Sequence, residues 1–353
     1  MRQTLLTEFR QVFAAVRSGS YPYHPREPTP IPWRRYDMAQ VNELPEVISL
    51  MGRLIDAVDL GMPAGRGCAH PKAHLAKLIL AQQYDGRCNR NSIGLLSLMG
   101  EKLGIPSIRN QPSYKTLERA YDDPAVIGIL NEVFFLTQRP VSMREDRFAV
   151  DGTCFPTTIK ANWESAKVRF LKKNSKPEGR RVFEKTVIAC GTTFKIIAAF
   201  AVASTPYAND SPYLKPILAQ IRQLYRDVSL IAADPAFLSR ENCASIAELG
   251  AKARIMPKGN VSMKAKGVKA WRDMLIDFTQ QTQRWLRDYH TRSIAETVSS
   301  TMKRVNPTPL RKKLIIRRAV ELLARICVYN LRQLTYLKYT RNIQPKFDTA
   351  THN

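Results

Sequence analysis

The stretch RFAVDGTCF, at residues 147–155, marks the change from a helical to a β-rich pattern in this chain. Aromatic and β-branched residues lead into an Asp-Gly pair, which predicts a strand that ends in a turn. Over residues 1–140, by contrast, apolar residues recur at helical spacing, and Gly and Pro separate the segments. The sequence therefore predicts an all-α N-terminal domain over 1–140, followed by a domain that begins with this strand.

Four further strands and two helices are predicted after this first strand. The strands cover 182–191, 194–204, 229–237 and 252–258, and the helices cover 212–225 and 239–251. The order β-β-β-α-β-α-β is that of the RNase H-like fold, an α/β fold with a mixed five-stranded sheet and flanking helices. We expect this domain to cover 145–336, with an amphipathic helix at 309–336 packed on the sheet and a basic tail at 337–353.

Two segments of the N-terminal domain carry more specific expectations. Residues 21–36 contain five prolines and are predicted to form a linker or an extended arm. Helices predicted at 91–103 and 113–121 could form a helix-turn-helix, whose second helix would present Lys115 and Arg119 to DNA. The alternative is an ordinary helical hairpin of an all-α domain.

The charge balance of the chain points to a polyanionic partner. Its 353 residues contain 55 Lys and Arg against 30 Asp and Glu, which gives a formal net charge of +25. An excess of that size indicates nucleic acid first. A ribosomal or membrane-surface protein is the alternative, but the hydrophobic content of 44% is that of a globular protein rather than a basic tail.

Cysteine usage and apolar runs predict a cytoplasmic protein without a membrane anchor. The six cysteines form no C-x-x-C pair, which is typical of reduced thiols. Residues 1–17 lack the apolar core of a signal peptide, and the apolar run at 186–204 is interrupted by Lys195 and a Gly-Thr-Thr turn. No P-loop, G-x-S-x-G or H-E-x-x-H motif occurs, so we expect no nucleotide cofactor and neither a serine nor a zinc hydrolase mechanism.

The sequence also contains cysteines and histidines of types that can bind a metal or act as a nucleophile, but their spacing favours structural roles. Cys68, His70, His74 and Cys88 are ligand types suited to zinc, but their spacing matches no established zinc pattern. The Cys154 thiol has no histidine placed to activate it, which favours a small core residue.

Two aspartates interrupt apolar segments at the ends of predicted strands. Asp151 ends the first strand and Asp234 ends the fourth. In this strand order the first and fourth strands are neighbours, so the two carboxylates would lie side by side. A divalent cation with hard oxygen ligands, Mg²⁺ or Mn²⁺, would relieve their repulsion. Each aspartate alone could instead be a turn former, which is the common role of Asp-Gly and Asp-Pro.

The segment DYHTRSIAETVSSTMKR, at residues 288–304, favours the metal interpretation. Its residues Tyr289, Arg292, Glu296 and Lys303 are spaced by helical steps and fall on a stripe roughly 60° wide. Glu296 would supply a third carboxylate, and three carboxylates that hold two metal ions form a clamp for in-line attack at phosphorus. The cations on the stripe would bind phosphates, and the tyrosine would contact a phosphate, sugar or base.

These residues resemble the DDE transposases of the IS4/IS5-type superfamily of bacterial insertion sequences. The resemblance rests on DGT at 151–153, on ADPAF at 233–237 and on a gap-free Tyr-x2-Arg-x3-Glu-x6-Lys motif. It covers roughly 145–335. It implies metal-dependent cleavage at the ends of the element and transfer of the 3′-hydroxyl into target DNA.

The resemblance also implies the site and the partners. Asp151, Asp234 and Glu296 would be the catalytic residues and the ligands of two Mg²⁺ or Mn²⁺ ions, and a homodimer would pair two ends of double-stranded DNA. For the basic run at 252–272, a solvated surface is the alternative to phosphate contact. The expected DNA contacts are Tyr289, Arg292, Lys303, Arg304, Lys258, Lys264, Lys266, Lys269, Lys115 and Arg119.

One departure and two other functions stay open on the sequence. Some family members carry a large β-rich insertion between the second Asp and the Glu, and the interval here is too short for one. Trp285 could stack on a flipped base, although core packing is the favoured interpretation. The chain could be a nuclease without strand transfer, or a domesticated DNA-binding protein without catalysis, although the intact carboxylates argue against the latter.

Overall fold

The computed structural model describes residues 2–27, 29–58, 70–105, 112–160 and 181–347. Eight helices precede the first strand in these ranges, so the prediction of a helical N-terminal region is confirmed. They are α1 (Arg2–Ser18), α2 (Trp33–Val41), α3 (Glu43–Ala57), α4 (Lys72–Asp85), α5 (Asn89–Met99), α6 (Tyr114–Ala120), α7 (Pro124–Leu136) and α8 (Arg139–Ser142).

A mixed five-stranded sheet follows, in the order β3-β2-β1-β4-β5. The central strand β1 pairs antiparallel with β2 and parallel with β4, and β4 pairs parallel with β5. This order confirms the predicted RNase H-like α/β fold. The strands are β1 (Arg147–Lys160), β2 (Arg181–Gly191), β3 (Ile197–Val202), β4 (Leu230–Ala233) and β5 (Lys252–Ile255).

Helices of the C-terminal half complete the two outer layers. Helix α9 shows why, because its buried residues Leu214, Ile217, Leu218 and Ile221 recur at helical spacing and form one apolar face. The helices are α9 (Leu214–Leu224), α10 (Arg240–Glu248), α11 (Lys269–Gln280), α12 (Thr282–Tyr289), α13 (Ser293–Val305) and α14 (Ile315–Arg341). In the described ranges, none of the helices is long and apolar enough to cross a membrane.

Alternation along β1 creates two separate cores. Phe148 and Val150 belong to the core on one face of the sheet, which α9 to α12 cover. Ala149 and Phe155 belong to the core on the other face, which α3, α4, α7, α13 and α14 cover. Because successive strand residues point to opposite faces, both layers depend on this one strand.

The first helix lies on a different face of the sheet from the helices that follow it. Phe9 of α1 is fully buried against Phe278 of α11. The proline-rich arm then runs along α12, where His24 exchanges hydrogen bonds with the Gln283 side chain. The arm is extended as predicted, but α2 begins at Trp33, so residues 33–36 are helical.

Helix α14 connects the N-terminal helices to the sheet. It packs against α2, α3, α4 and α7 and against β3. The helix begins at Ile315 and ends at Arg341, later at both ends than the predicted 309–336. Residues before it are extended instead, and Leu310 pairs with Thr157 of β1.

The helix thus continues into the predicted basic tail, where Ile343 is also buried. Buried apolar residues at 337 and 343 explain why this part of the chain packs rather than extends into solvent. Residues 348–353 lie outside the described ranges. The predicted division into domains at 1–140 and 145–336 stays a prediction.

Asn330 is the polar residue that attaches α14 to the edge strand β3. Its side chain is fully buried, accepts a hydrogen bond from the Ile197 backbone N–H at 2.9 Å and donates to the Ile197 carbonyl at 3.0 Å. Asn330→Ala leaves both backbone groups unpaired, and we expect a loss of about 2–3 kcal/mol in the free energy of unfolding. Urea unfolding followed by circular dichroism measures it.

Gln344→Ala is the matched control, since it removes an exposed amide that bonds only a nearby side chain. We expect it to change the free energy of unfolding by less than about 0.5 kcal/mol. Equal stability of the two variants would show that water replaces the Asn330 hydrogen bonds.

Candidate active site

The register of β1 against β4 places the two predicted aspartates side by side. The last residues paired between these parallel strands are Val150 and Ala233, and each is followed in the chain by an aspartate, Asp151 within β1 and Asp234 directly after β4. Neighbouring strands lie about 4.8 Å apart, so the two carboxylates leave adjacent backbone positions. The predicted adjacency of the first and fourth strands is confirmed.

Asp151 lies inside the long strand β1, opposite Ile188 of β2, and its side chain is partly buried. Burial raises the pKa of Asp151 to about 6, and the neighbouring carboxylates of Glu296 and Asp234 act in the same direction. The Gly152 backbone N–H opposes this shift. The carboxylates of Asp234 and Glu296 are therefore close enough to Asp151 to disfavour its charged form.

Asp234 is held by the turn that ends β4. It caps a short 3₁₀ turn, Pro235–Phe237, and its Oδ1 accepts a hydrogen bond from the Ala236 backbone N–H at 3.0 Å. A proline at the first turn position loses no hydrogen bond, which favours the turn directly after the strand. The other oxygen of Asp234, Oδ2, faces Arg292 and belongs to a side chain that is 39% exposed.

Arg292 joins Asp234 to Glu296. Its Nη1 lies 2.6 Å from Glu296 Oε1 and 3.7 Å from Asp234 Oδ2, so the two oxygens are no farther apart than the sum of these distances. Burial alone would lower the pKa of Arg292, but Tyr289, Glu296 and Asp234 together raise it. The guanidinium therefore neutralises part of the negative charge that these carboxylates create.

The carboxylate oxygens suit a hard divalent cation, which is the chemistry that the sequence predicts for this site. In the described residues, however, no group of three or more His, Cys, Asp or Glu side chains is arranged to hold a metal ion. The Arg292 guanidinium lies where positive charge is needed. Of the four residues whose types suit zinc, Cys68 lies outside the described ranges.

Position 152 requires a glycine because the Asp210 side chain lies close to the backbone there, which the sequence did not reveal. A Cβ atom at this position would lie 2.8 Å from Oδ1 of Asp210. The Asp210 carboxylate pairs with Lys185 at 2.7 Å and occupies the sheet face opposite to Asp151. The Asp-Gly pair was predicted as a turn signal, and in the structure it continues β1 with a glycine that makes room for this ion pair.

The segment that carries the predicted stripe is not one continuous α-helix. Helix α12 ends at Tyr289, a 3₁₀ turn covers His290–Arg292, and α13 begins at Ser293. Side chains three residues apart eclipse in a 3₁₀ turn, so the change of helix type keeps Tyr289 and Arg292 on one side of the chain. Arg292 and Glu296 still meet across the break.

Tyr289, an expected contact to a phosphate, sugar or base, is largely buried in the structure. Its side chain is only 6% exposed and stacks on Trp285, with ring centroids 5.3 Å apart. The Arg292 guanidinium lies over the Tyr289 ring. Trp285 is fully buried, so the core-packing interpretation of this residue holds and base stacking by it does not fit.

Lys303 lies farther along the sheet face that carries Asp151. Its Nζ is 5.5 Å from the centroid of the Phe155 ring, and Phe155 is four residues after Asp151 on the same face of β1. Arg304 is exposed beside it in the last turn of α13, where cations complement the helix dipole.

Six further predicted DNA contacts are exposed but are not gathered at the carboxylates. The segment that follows β5 packs through Val261 and Met263 on the core of the sheet face opposite to α13. Ser113 caps α6 as the sequence indicates, but residues 106–111 of the predicted helix-turn-helix lie outside the described ranges. The six side chains are Lys258, Lys264, Lys266 and Lys269 after β5, and Lys115 and Arg119 on α6.

The strand order defines an RNase H-like domain, and two aspartates lie side by side where β1 and β4 cease to pair. The family model described as the transposase DDE domain matches residues 142–331, more than half of the chain. The chain therefore belongs to the family of DDE transposases, which act on DNA and in general use divalent metal ions. Its assignment to the IS4/IS5-type superfamily stays a prediction.

Similarity to one curated protein extends beyond the DDE domain. The chain is 24% identical over 323 residues to a probable transposase for insertion sequence element ISA1214 from Archaeoglobus fulgidus. The aligned region covers 91% of this chain and 90% of the relative. The N-terminal helices are thus part of the similarity.

The buried tryptophan provides a test of the core beneath the site. Trp285→Ala should lower the free energy of unfolding by about 3–5 kcal/mol, because it opens a cavity between Phe278 and Tyr289. Trp285→Phe keeps most of the packing, so its DNA affinity should match that of the unsubstituted protein. Urea unfolding and fluorescence anisotropy measure the two properties.

Trp33→Ala is the matched control, since Trp33 is 64% exposed. We expect it to cost much less stability than Trp285→Ala. A Trp285→Phe variant of normal stability with weakened DNA binding would restore the base-stacking role.

Proposed function

We propose that this protein cuts DNA at the ends of an insertion element and joins the freed 3′-hydroxyl to target DNA. The reactions are divalent-metal-dependent hydrolysis and transesterification of phosphodiesters. One observation carries the proposal. Asp151 and Asp234 directly follow the last residue pair between β1 and β4, and Arg292 contacts both Glu296 and Asp234. Membership in the DDE transposase family supports it independently.

Asp151, Asp234 and Glu296 are the proposed catalytic residues, and they would hold two Mg²⁺ or Mn²⁺ ions. Such ions, when bound, activate the attacking oxygen and stabilise the leaving oxygen of an in-line displacement. The raised pKa of Asp151, which burial causes first and its acidic neighbours increase, agrees with a site where negative charge exceeds the positive charge of Arg292. The three carboxylates would contribute oxygen ligands from strand β1, from the turn that follows β4 and from helix α13.

Arg292, Lys303 and Arg304 are the proposed phosphate contacts nearest to the carboxylates. The Arg292 guanidinium now pairs with Glu296 and Asp234, so binding of a DNA phosphate would draw it away from these oxygens. Its planar fork can bind a phosphate with two parallel hydrogen bonds, whereas Lys303 acts as a point charge. Tyr289 would support Arg292 from below rather than contact DNA.

The wider DNA interface and the assembly are also part of the proposal. The helical region would recognise the ends of the element, with Lys115 and Arg119 on α6. Lys258, Lys264, Lys266 and Lys269 lie on the other side of the sheet and would contact DNA away from the cut. A homodimer on DNA would bring two ends together.

Asp234→Asn tests the catalytic role. We expect it to abolish Mg²⁺-dependent cleavage of a duplex that carries the DNA flanking the gene, because the amide is a weaker metal ligand. DNA affinity should stay the same or increase, since a negative charge near phosphate is removed. Cleavage is measured on gels and affinity by fluorescence anisotropy.

Asp227→Asn is the matched control, because this exposed aspartate makes the same change of charge outside the site. Cleavage by the control should equal that of the unsubstituted protein. A parallel loss of binding and cleavage in Asp234→Asn would count against a metal role. Joining of a pre-cut end to a plasmid distinguishes a transposase from a nuclease that only hydrolyses DNA.

Lys303→Ala tests the phosphate contact on α13. DNA binding should weaken, and the slope of log affinity against log salt concentration should fall by about one unit, since one phosphate contact releases about one counterion. Lys215→Ala on α9, at an exposed position of the other face, is the control and should leave the slope unchanged. An unchanged slope for Lys303→Ala would place this ammonium away from phosphate.

A further inference from the structure

A side chain outside the DDE motif lies directly behind the strand that carries Asp151. Asp210 follows β3 and precedes a 3₁₀ turn, Ser211–Tyr213, that leads into α9. Its carboxylate packs on the backbone of Gly152. The three atoms nearest to a Cβ at position 152 all belong to this carboxylate group, at 2.8 to 3.0 Å.

The need for glycine at position 152 comes from this side chain and not from the backbone. Gly152 is absent from the glycines with positive φ, so its backbone conformation is open to other residues. An alanine would fit the strand, and its methyl group would collide with Asp210. One side chain and one strand residue are therefore packed as closely as their atoms allow.

The Asp210 carboxylate is restrained from turning away. Lys185 Nζ lies 2.7 Å from its Oδ1 and donates a hydrogen bond to the Ala208 carbonyl at 2.6 Å. The side chains of Lys185 and Asp210 are only 16% and 19% exposed, so solvent screens this ion pair little. Lys185 is opposite Cys154 in the β1–β2 register and thus extends from the same sheet face as Gly152.

The strand needs a restraint at this point, because its pairing changes there. The ladder between β1 and β4 ends at Val150, while β1 continues to Lys160. Over residues 151–156, β2 is the only strand that pairs with β1 within the described part of the chain. Asp151 therefore lies where β1 has lost one of its two neighbours, and backbone pairing restrains it from one side only.

Gly152 in turn contacts the Asp151 carboxylate. Its backbone N–H donates a hydrogen bond to that side chain. The N–H belongs to the planar peptide unit between the two residues, so rotation of this unit moves the donor relative to the carboxylate. Packing of Asp210 on Gly152 limits this rotation, which connects Asp210 to the orientation of the Asp151 oxygens.

The loop that carries Asp210 is also attached to the turn that carries Asp234. Asn242 of α10 is only 4% exposed and donates hydrogen bonds to the Phe237 carbonyl at 2.7 Å and to Ser211 Oγ at 2.9 Å. Phe237 ends the 3₁₀ turn that Asp234 caps, and Ser211 directly follows Asp210. Asn242 thus fixes this loop relative to the second aspartate.

We propose that Asp210, paired with Lys185, is a positioning residue of the active site that orients the Asp151 carboxylate by packing on Gly152. It acts from the far face of the sheet and touches neither DNA nor metal ions. The inference rests on the proposed function, in which Asp151 is a catalytic residue, and it adds residues on which cleavage depends although they lie outside the site.

The first test separates the rate of cleavage from DNA binding. In Asp210→Ala the single-turnover rate at saturating duplex and Mg²⁺ should fall by about ten- to a hundredfold, the effect of a displacement of about 1 Å in a catalytic group. Affinity for the duplex, measured by fluorescence anisotropy, should not change, since no proposed DNA contact is removed. An unchanged rate, or equal losses of rate and affinity, overturns the positioning role.

Two further variants complete this comparison. Asp210→Asn keeps the shape that packs on Gly152 and should retain most of the cleavage rate. Asp227→Ala removes an exposed carboxylate elsewhere and should cleave like the unsubstituted protein. An Asp210→Asn variant as slow as Asp210→Ala would show that the charge of Asp210 matters rather than its packing, and it would overturn the proposal.

A double variant tests the contact itself. Gly152→Ala alone should slow cleavage, because its methyl group collides with the Asp210 carboxylate. In Gly152→Ala, Asp210→Ala the methyl group occupies space that the carboxylate has left, so the double variant should cleave faster than either single variant. Residues in contact show such non-additive effects. If the two losses in rate simply multiply, Asp210 does not act through Gly152 and the proposal is wrong.

Hydrogen exchange followed by mass spectrometry provides a measurement without DNA or metal. Deuterium uptake of the β1 peptide that contains Gly152 should rise in Asp210→Ala, whereas uptake of the β4 peptide, Leu230–Ala233, should not. Equal uptake of the β1 peptide with and without Asp210 shows that the strand is not restrained there and overturns the proposal. The proposed function fails separately, if Asp234→Asn still cleaves DNA.

Discussion

The parallel pairing of β1 with β4 is the constraint on which the site depends. It brings two aspartates to adjacent positions, where their carboxylates repel each other. The pKa of Asp151, raised to about 6, reflects burial first and then the acidic neighbours. Arg292 compensates part of this charge by contacting both Asp234 and Glu296. Positive charge at this place thus balances the carboxylates that the fold brings together, and the proposed metal ions would supply it in a different way.

The 3₁₀ turn at His290–Arg292 separates the Tyr-Arg-Glu-Lys motif into two parts with different surroundings. Before the turn, Tyr289 and Trp285 stack inside the core that α11 and α12 form on one face of the sheet. After the turn, Glu296 lies at the surface and Lys303 over Phe155, on the other face. The motif therefore passes from one face of the sheet to the other, and Arg292 lies between its two parts, beside Asp234 at the end of β4.

Helix α14 makes the N-terminal helices and the sheet a single packed unit on the face that carries Asp151. Its apolar residues share one core with α3, α4 and α7, and its Asn330 completes the hydrogen bonds of β3. The segment before it is attached to β1 at Thr157 and to α6 through Glu118, while Arg317 of the helix itself pairs with Asp122. These contacts hold the segment before α14 against both the sheet and the N-terminal helices.

The sequence by itself determined the strand order, the helical N-terminal region, the proline-rich arm and the adjacency of Asp151 and Asp234. These features follow from local patterns: strand alternation, helix caps such as Ser113, and the short connections of the fold. Only the tertiary structure decided that Tyr289 is buried, that α1 crosses to the other face, that Asp210 approaches Gly152, and that Lys312 and Arg317 pair with Glu118 of α6. The reason is that each of these depends on contacts between residues far apart in the chain, which leave no periodic signal at either partner.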